Sequence, residues 1–80
     1  MELPEGYREI NGALQSEFRF RDFAEALGFV NRVGELAERE GHHPDVEIHW
    51  NLVTLRWWTH AREAITERDY ELAARSNDLV

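Results

Sequence analysis

The 80-residue chain contains no cysteine. That absence removes disulfides, thiol catalysis and zinc-thiolate sites together, and it is compatible with a reducing compartment. Positive charge is also scarce: nine basic residues stand against 16 acidic ones, for a formal charge of -7. Nucleic-acid binders concentrate Lys and Arg against the phosphate backbone, so direct binding of nucleic acid is not expected. No apolar run approaches the ~18 residues of a membrane span, and the start MELPEGYREI lacks the basic segment and apolar core of a secretory signal. The expectation is a soluble, cytoplasmic protein that meets no membrane. Low-complexity tracts, internal repeats and Gly/Ser linkers are missing too, so residues 1–80 read as one folded domain with no second.

A domain of this size has a modest core and is only marginally stable alone. With no disulfide and no evident structural metal clamp, homo-oligomerisation is the expected added support, and the sequence leaves dimer and tetramer both open. The elements of that core can be traced in order. Asn11-Gly12 is a strong hairpin signal, because a type I′ turn needs positive φ at both central residues. After it, Leu14, Ser16, Phe18 and Phe20 alternate with Gln15, Glu17 and Arg19, the period of a half-buried strand, with Tyr7 to Ile10 as its partner. Asp22 and Glu25 have capping-box spacing, and Phe23, Ala26, Leu27, Val30, Val33 and Ala37 fall on one stripe of a helix from about Phe23 to Glu40. Gly41 suits the left-handed residue that closes a helix, and Pro44 prevents its continuation.

Between Asp45 and His60 a hairpin turning at Asn51-Leu52 sets Val46 against Trp57, Ile48 against Leu55 and Trp50 against Val53, with Glu47 and Arg56 on the other face. The same register, extended, brings His43 opposite His60. Adjacent residues point to opposite faces of a strand, so Trp57 goes to the core and Trp58, with His49, to the uncovered face. Thr66-Glu67-Arg68-Asp69 is a second capping box, flanked by Ile65 and Tyr70 as a hydrophobic staple, and opens a helix to about Asn77. The expected fold is therefore α+β, in the order β-β-α-β-β-α, a four-stranded antiparallel sheet with two helices packed on one face.

Three of the four histidines lie within Gly41–Trp50, GHHPDVEIHW. An imidazole pair just past a helix C-terminus is favoured by the helix dipole without any further role. A zinc site from His42, His43 and His60 has suitable ligand types, but adjacent histidines project in different directions and no zinc-class spacing is present. Acid/base work is the third reading, since imidazole gives and takes protons near neutrality.

Beyond those histidines, Glu38-x-x-x-His42-His43-Pro44, Trp50-Asn51, Val53, Thr59-His60 and Thr66-Glu67-Arg68-Asp69 follow one another in an ordered set, preceded by Phe18-x-Phe20-x-Asp22-Phe23. In this set the chain resembles the pterin-4a-carbinolamine dehydratase family, from Tyr7 to Leu79. The resemblance implies the same α+β fold and a hydro-lyase that dehydrates 4a-hydroxytetrahydropterin to the quinonoid dihydropterin, recycling the pterin used by aromatic amino acid hydroxylases. It implies catalysis by His42, His43 and His60 with no metal and no organic cofactor. His42 and His60 would move protons and His43 would orient the substrate; Glu38 would orient an imidazole, Pro44 would fix the loop, and Thr59 and Tyr7 would contact or orient the pterin. The chain departs from the family pattern at Gly41 and Ala61, where acidic or amide residues are frequent, and at Tyr7, where tryptophan is. The alternative implied by the same resemblance is a non-catalytic dimerisation or protein-binding module on this scaffold.

Overall fold

The computed structural model describes residues 1–80. Its elements are β1 (Arg8–Ile10), β2 (Ala13–Arg19), α1 (Phe23–Glu40), β3 (Asp45–His49), β4 (Leu52–Trp57) and α2 (Glu67–Asn77). The strands form one antiparallel sheet in the order β1-β2-β4-β3, with both helices over one face, as expected. No helix is long and apolar enough to cross a membrane.

Local chemistry accounts for the element ends. Asn11 and Gly12 both take positive φ, 48° and 79°, closing β1 onto β2 with Ile10 opposite Ala13. At the start of α1 the Asp22 carboxylate accepts from the Glu25 amide at 2.9 Å. The return bond goes one residue earlier than a capping box requires, from the Arg21 amide to Glu25 Oε1 at 3.0 Å. At the other end Gly41 is left-handed at φ 63°, and the His42 amide reaches back to the Ala37 carbonyl at 3.1 Å.

Two sequence expectations need correction. The buried stripe of α1 is Ala26, Phe29, Val33, Leu36 and Ala37, whereas Phe23 and Leu27 are 48% and 40% exposed. The helix carries more apolar residues than one sheet can cover, and the arc that meets the sheet is centred on Phe29 and Val33. The second correction is the β3–β4 register, which pairs Val46 with Leu55, Ile48 with Val53 and His49 with Leu52. The turn is Trp50-Asn51, with Trp50 at φ 52°, because Asn51 is tied to the end of β2: its side-chain amide donates to the Phe20 carbonyl at 2.9 Å. Leu52 thereby avoids a turn position that its side chain disfavours. Moving the turn by one residue shifts each partner by two, which preserves the faces but would set His43 across from Trp58 rather than His60.

The core is built from Leu14, Val53, Leu55 and Trp57 of the sheet against Phe29, Val33 and Leu72 of the helices, all fully buried. Tyr7 closes its edge at 3% exposure, accepting from Trp57 Nε1 at 3.1 Å and sharing a 2.7 Å hydrogen bond with Ser76 Oγ. Burial pushes the Tyr7 phenol up to about 12. No buried side-chain nitrogen or oxygen lacks a hydrogen-bond partner.

Candidate active site

The site lies where the end of α1 meets the segment between β4 and α2. Gly41 and Pro44 stop the helix on either side of His42 and His43, so both imidazoles are held next to its C-terminus. His60 arrives from the opposite side, on a tight loop closed by the Thr59 amide donating to the Ala64 carbonyl at 2.9 Å. Gly41, His42 and His43 on one flank and Trp58, Thr59, His60 and Ala61 on the other line an open cleft of about 220 Å³. The three histidines singled out in the sequence thus share one cavity.

They differ in how they are held. His42 is the buried member, 14% exposed at the side chain, with its ring parallel to that of Trp57 at a centroid distance of 6.2 Å. Its Nε2 lies 2.6 Å from Asp69 Oδ1, and Asp69 is completely buried. The second carboxylate oxygen accepts from Thr59 Oγ1 at 2.8 Å and from the Thr66 amide at 2.9 Å. A carboxylate so engaged accepts the His42 hydrogen too, which places that hydrogen on Nε2 and leaves Nδ1 as the nitrogen able to exchange a proton with a ligand. His43 pairs through Nε2 with Glu38 Oε2, both side chains well exposed. His60 is exposed and packs on Trp58, with centroids 4.1 Å apart and planes tilted by 50°.

Behind the cleft, charged groups fasten α1 to α2. Arg68 Nη2 donates to the Glu40 carbonyl at 2.9 Å and to its carboxylate at 2.7 Å, and Arg75 reaches the other oxygen at 3.2 Å. The hydrogen bonds from Arg68 and then Arg75 hold the Glu40 carboxyl below its ordinary range, and donating to Glu40 and Glu71 in turn raises Arg68. Arg68 and Asp69 are consecutive, so the first turn of α2 grips both the end of α1 and its histidine.

The remaining expected site residues separate. Thr59 lines the cleft and braces Asp69, and Pro44 precedes β3 and shapes the turn without lining the cavity. Glu38 hydrogen-bonds His43 at the rim of the cleft. Tyr7, expected against the substrate, is instead a core residue bonded to Trp57 and Ser76, because the sheet edge it covers is completed by α2. His49 is on the surface. Asp69 is the contributor that site reasoning from sequence missed. Asp69 was visible only as the third residue of a capping box, and its reach to His42 spans 27 residues. No three His, Asp or Glu side chains converge to hold a metal ion.

Comparison with known proteins identifies the family and the fold. The sequence pattern described as pterin 4 alpha carbinolamine dehydratase matches residues 2–79. Proteins provisionally named pterin-4-alpha-carbinolamine dehydratase from Chlorobium limicola and Syntrophotalea carbinolica are 50% and 49% identical over 66 and 67 residues. Those matches take in 82% and 84% of this chain but only 58% and 60% of the relatives. In three dimensions a transcriptional coactivator/pterin dehydratase from Brucella melitensis superposes with a TM-score of 0.89 at 29% identity, over 95% of this chain and 83% of that one. A pterin dehydratase-like RuBisCO assembly factor of the alpha-carboxysome shares the fold, with a TM-score of 0.74 at 22% identity over 91% of this chain and 84% of that one. By sequence pattern, by identity and by fold, the chain belongs to the pterin 4 alpha carbinolamine dehydratase family.

Proposed function

We propose that the cleft dehydrates 4a-hydroxytetrahydropterin to quinonoid dihydropterin and water by proton transfer alone. The C4a–O bond breaks as the hydroxyl receives a proton from one imidazole and leaves as water. The N5 lone pair forms the C4a=N5 double bond, and the N5 proton passes to a second imidazole. His42 and His60 take these two roles, and His43, held by Glu38, orients the ring. The observation that supports this reading above others is the fixed state of His42: a buried carboxylate holds one ring nitrogen at 2.6 Å and directs the other to the work. Positioned acid/base groups contribute about 10²–10⁴-fold each. The chemistry needs reduced pterin, and a reducing cytoplasm is where the reaction would run.

The test is stopped-flow formation of the quinonoid product from freshly generated carbinolamine, with wild type, His42→Ala and His60→Ala. Acceleration that depends on both residues is expected, and a folded wild type that gives none would overturn the reading. A homo-oligomer belongs to the same proposal. Exposed Phe23 and Leu27 on α1, together with Trp50 at 66% exposure, are apolar surface that a second copy would cover. These residues also favour the second reading, a protein-binding module, which predicts that partner capture survives loss of all three cleft histidines.

A further inference from the structure

Trp58 is the one large aromatic side chain in the histidine cleft, and neither catalysis nor the core uses it. It follows the buried Trp57 and therefore faces away from the helices, where no layer of the fold needs an indole to fill it. Its single hydrogen-bond donor is already engaged: Nε1 donates to Asp45 Oδ2 at 2.8 Å. Asp45 directly follows Pro44, so the turn that presents His42 and His43 also carries the anchor of the indole. With its N–H occupied, the only thing Trp58 can offer a ligand is its ring surface. The adjoining His60 ring, 4.1 Å away and tilted by 50°, makes that surface one side of a wedge. The other lining groups supply protons, a hydroxyl and small surfaces, and none presents a flat area that matches a fused bicyclic ring.

We propose that Trp58 is the stacking wall for the fused ring of the substrate, that Asp45 sets its angle, and that this pair makes the cleft prefer bicyclic over monocyclic pyrimidines. The inference rests on the pterin reading of the cleft and adds a recognition residue to it. Stacking of a heterocycle on an aromatic side chain accounts for roughly 10- to 100-fold in affinity, whereas a single-ring pyrimidine overlaps much less of the indole.

The experiment is calorimetric binding of two probes, 7,8-dihydrobiopterin and 2-amino-4-hydroxypyrimidine, to wild type, Trp58→Phe, Trp58→Leu and Asp45→Asn, with thermal melts alongside. Expected is a loss of about 10- to 100-fold for the pterin with Trp58→Leu, little change with Trp58→Phe, and an intermediate loss with Asp45→Asn. The monocyclic probe should bind weakly and alike in all four, so that selectivity collapses with the indole. Asp45→Asn keeps every apolar contact and carries the same test if Trp58→Leu folds poorly. Wild type that binds dihydrobiopterin no better than Trp58→Leu overturns the stacking wall and leaves the pterin reading standing. Equal losses for both probes overturn it as well, since a disturbed loop, not stacking, would be the cause. Wild type that binds no pterin overturns the reading on which it rests.

Discussion

Replacing Asp69 by asparagine is the sharpest perturbation of the proposed chemistry, because it keeps the shape and changes only what the side chain can accept. The carboxylate holds His42 at 2.6 Å through one oxygen, and Thr59 and the Thr66 amide at 2.8 and 2.9 Å through the other. Asparagine retains one acceptor oxygen, which the two donors on the Thr59 side claim, and turns its amide N–H toward His42. Nε2 must then accept, so the imidazole hydrogen moves to Nδ1, and the nitrogen left for the ligand becomes a donor instead of an acceptor. The whole acid/base contribution of His42 is lost, about 10²–10⁴-fold in kcat, or about 2.7–5.5 kcal/mol in barrier. Stability falls by less, about 1–2 kcal/mol, since a charge-assisted bond becomes a neutral one. In a domain of this size that lowers Tm by roughly 5–15 °C, and the protein stays folded. Stopped-flow kinetics gives kcat, and long-range ¹H–¹⁵N spectra of the histidine rings report the tautomer. Wild-type kcat with hydrogen moved to Nδ1, or a large loss with hydrogen still on Nε2, would refute the reasoning.

Tyr7→Phe tests the assignment of that residue to the core: it strips a partner from buried Trp57 Nε1 and Ser76 Oγ, so stability should fall by about 1–3 kcal/mol with kcat unchanged. The same phenol predicts an alkaline limb. Its value rises on folding from about 10 to about 12, so the stabilisation is complete below the unfolded value and is lost as pH climbs through that window; denaturant titrations at high pH should show this in wild type and not in Tyr7→Phe. Glu40 shifts the opposite way, held down by Arg68 and Arg75. Its contribution is present above the unfolded carboxyl value and disappears as pH falls through the folded one, so the Tm gap between wild type and Glu40→Gln should close in acid and also shrink in salt. Phe23→Glu with Leu27→Glu should lower the oligomer mass seen by light scattering and leave the circular dichroism of the fold intact; unchanged mass would show that this face of α1 is not the contact.

The proposed reaction would ask little of the scaffold beyond two imidazoles of opposite protonation in one cleft. The first turn of α2 serves both ends of that requirement. Asp69 sets His42, and Arg68 caps the helix end that carries it by bonding the Glu40 carbonyl and carboxylate together. Displacing a catalytic group by about 1 Å can cost ~10²-fold, so fastening the end of α1 to α2 bears directly on the site. Exposed ion pairs contribute little to overall stability, and the value of this one lies in placement.

Much of the fold was legible in the sequence because its determinants are local. Asn11-Gly12 dictates a primed turn, Gly41 and Pro44 end α1, and Thr66 with Asp69 opens α2, each through bonds among near neighbours. The histidines, too, could be named from residue type and order. What local rules could not decide were choices between near-equivalent packings. Phe29 and Leu36, rather than Phe23 and Leu27, face the core because the sheet covers only one arc of α1. The β3–β4 turn sits at Trp50-Asn51 because Asn51 is bound to the end of β2, a contact with a strand 31 residues away. Tyr7 is buried by Ser76 and Trp57, at separations of 69 and 50 residues. Likewise the residue that governs His42 is an apparent cap on a distant helix. Chemical identity and element order are properties of neighbouring residues, so the sequence determined them; which groups meet across the core depends on how helices and sheet settle together, and the tertiary structure alone decided that.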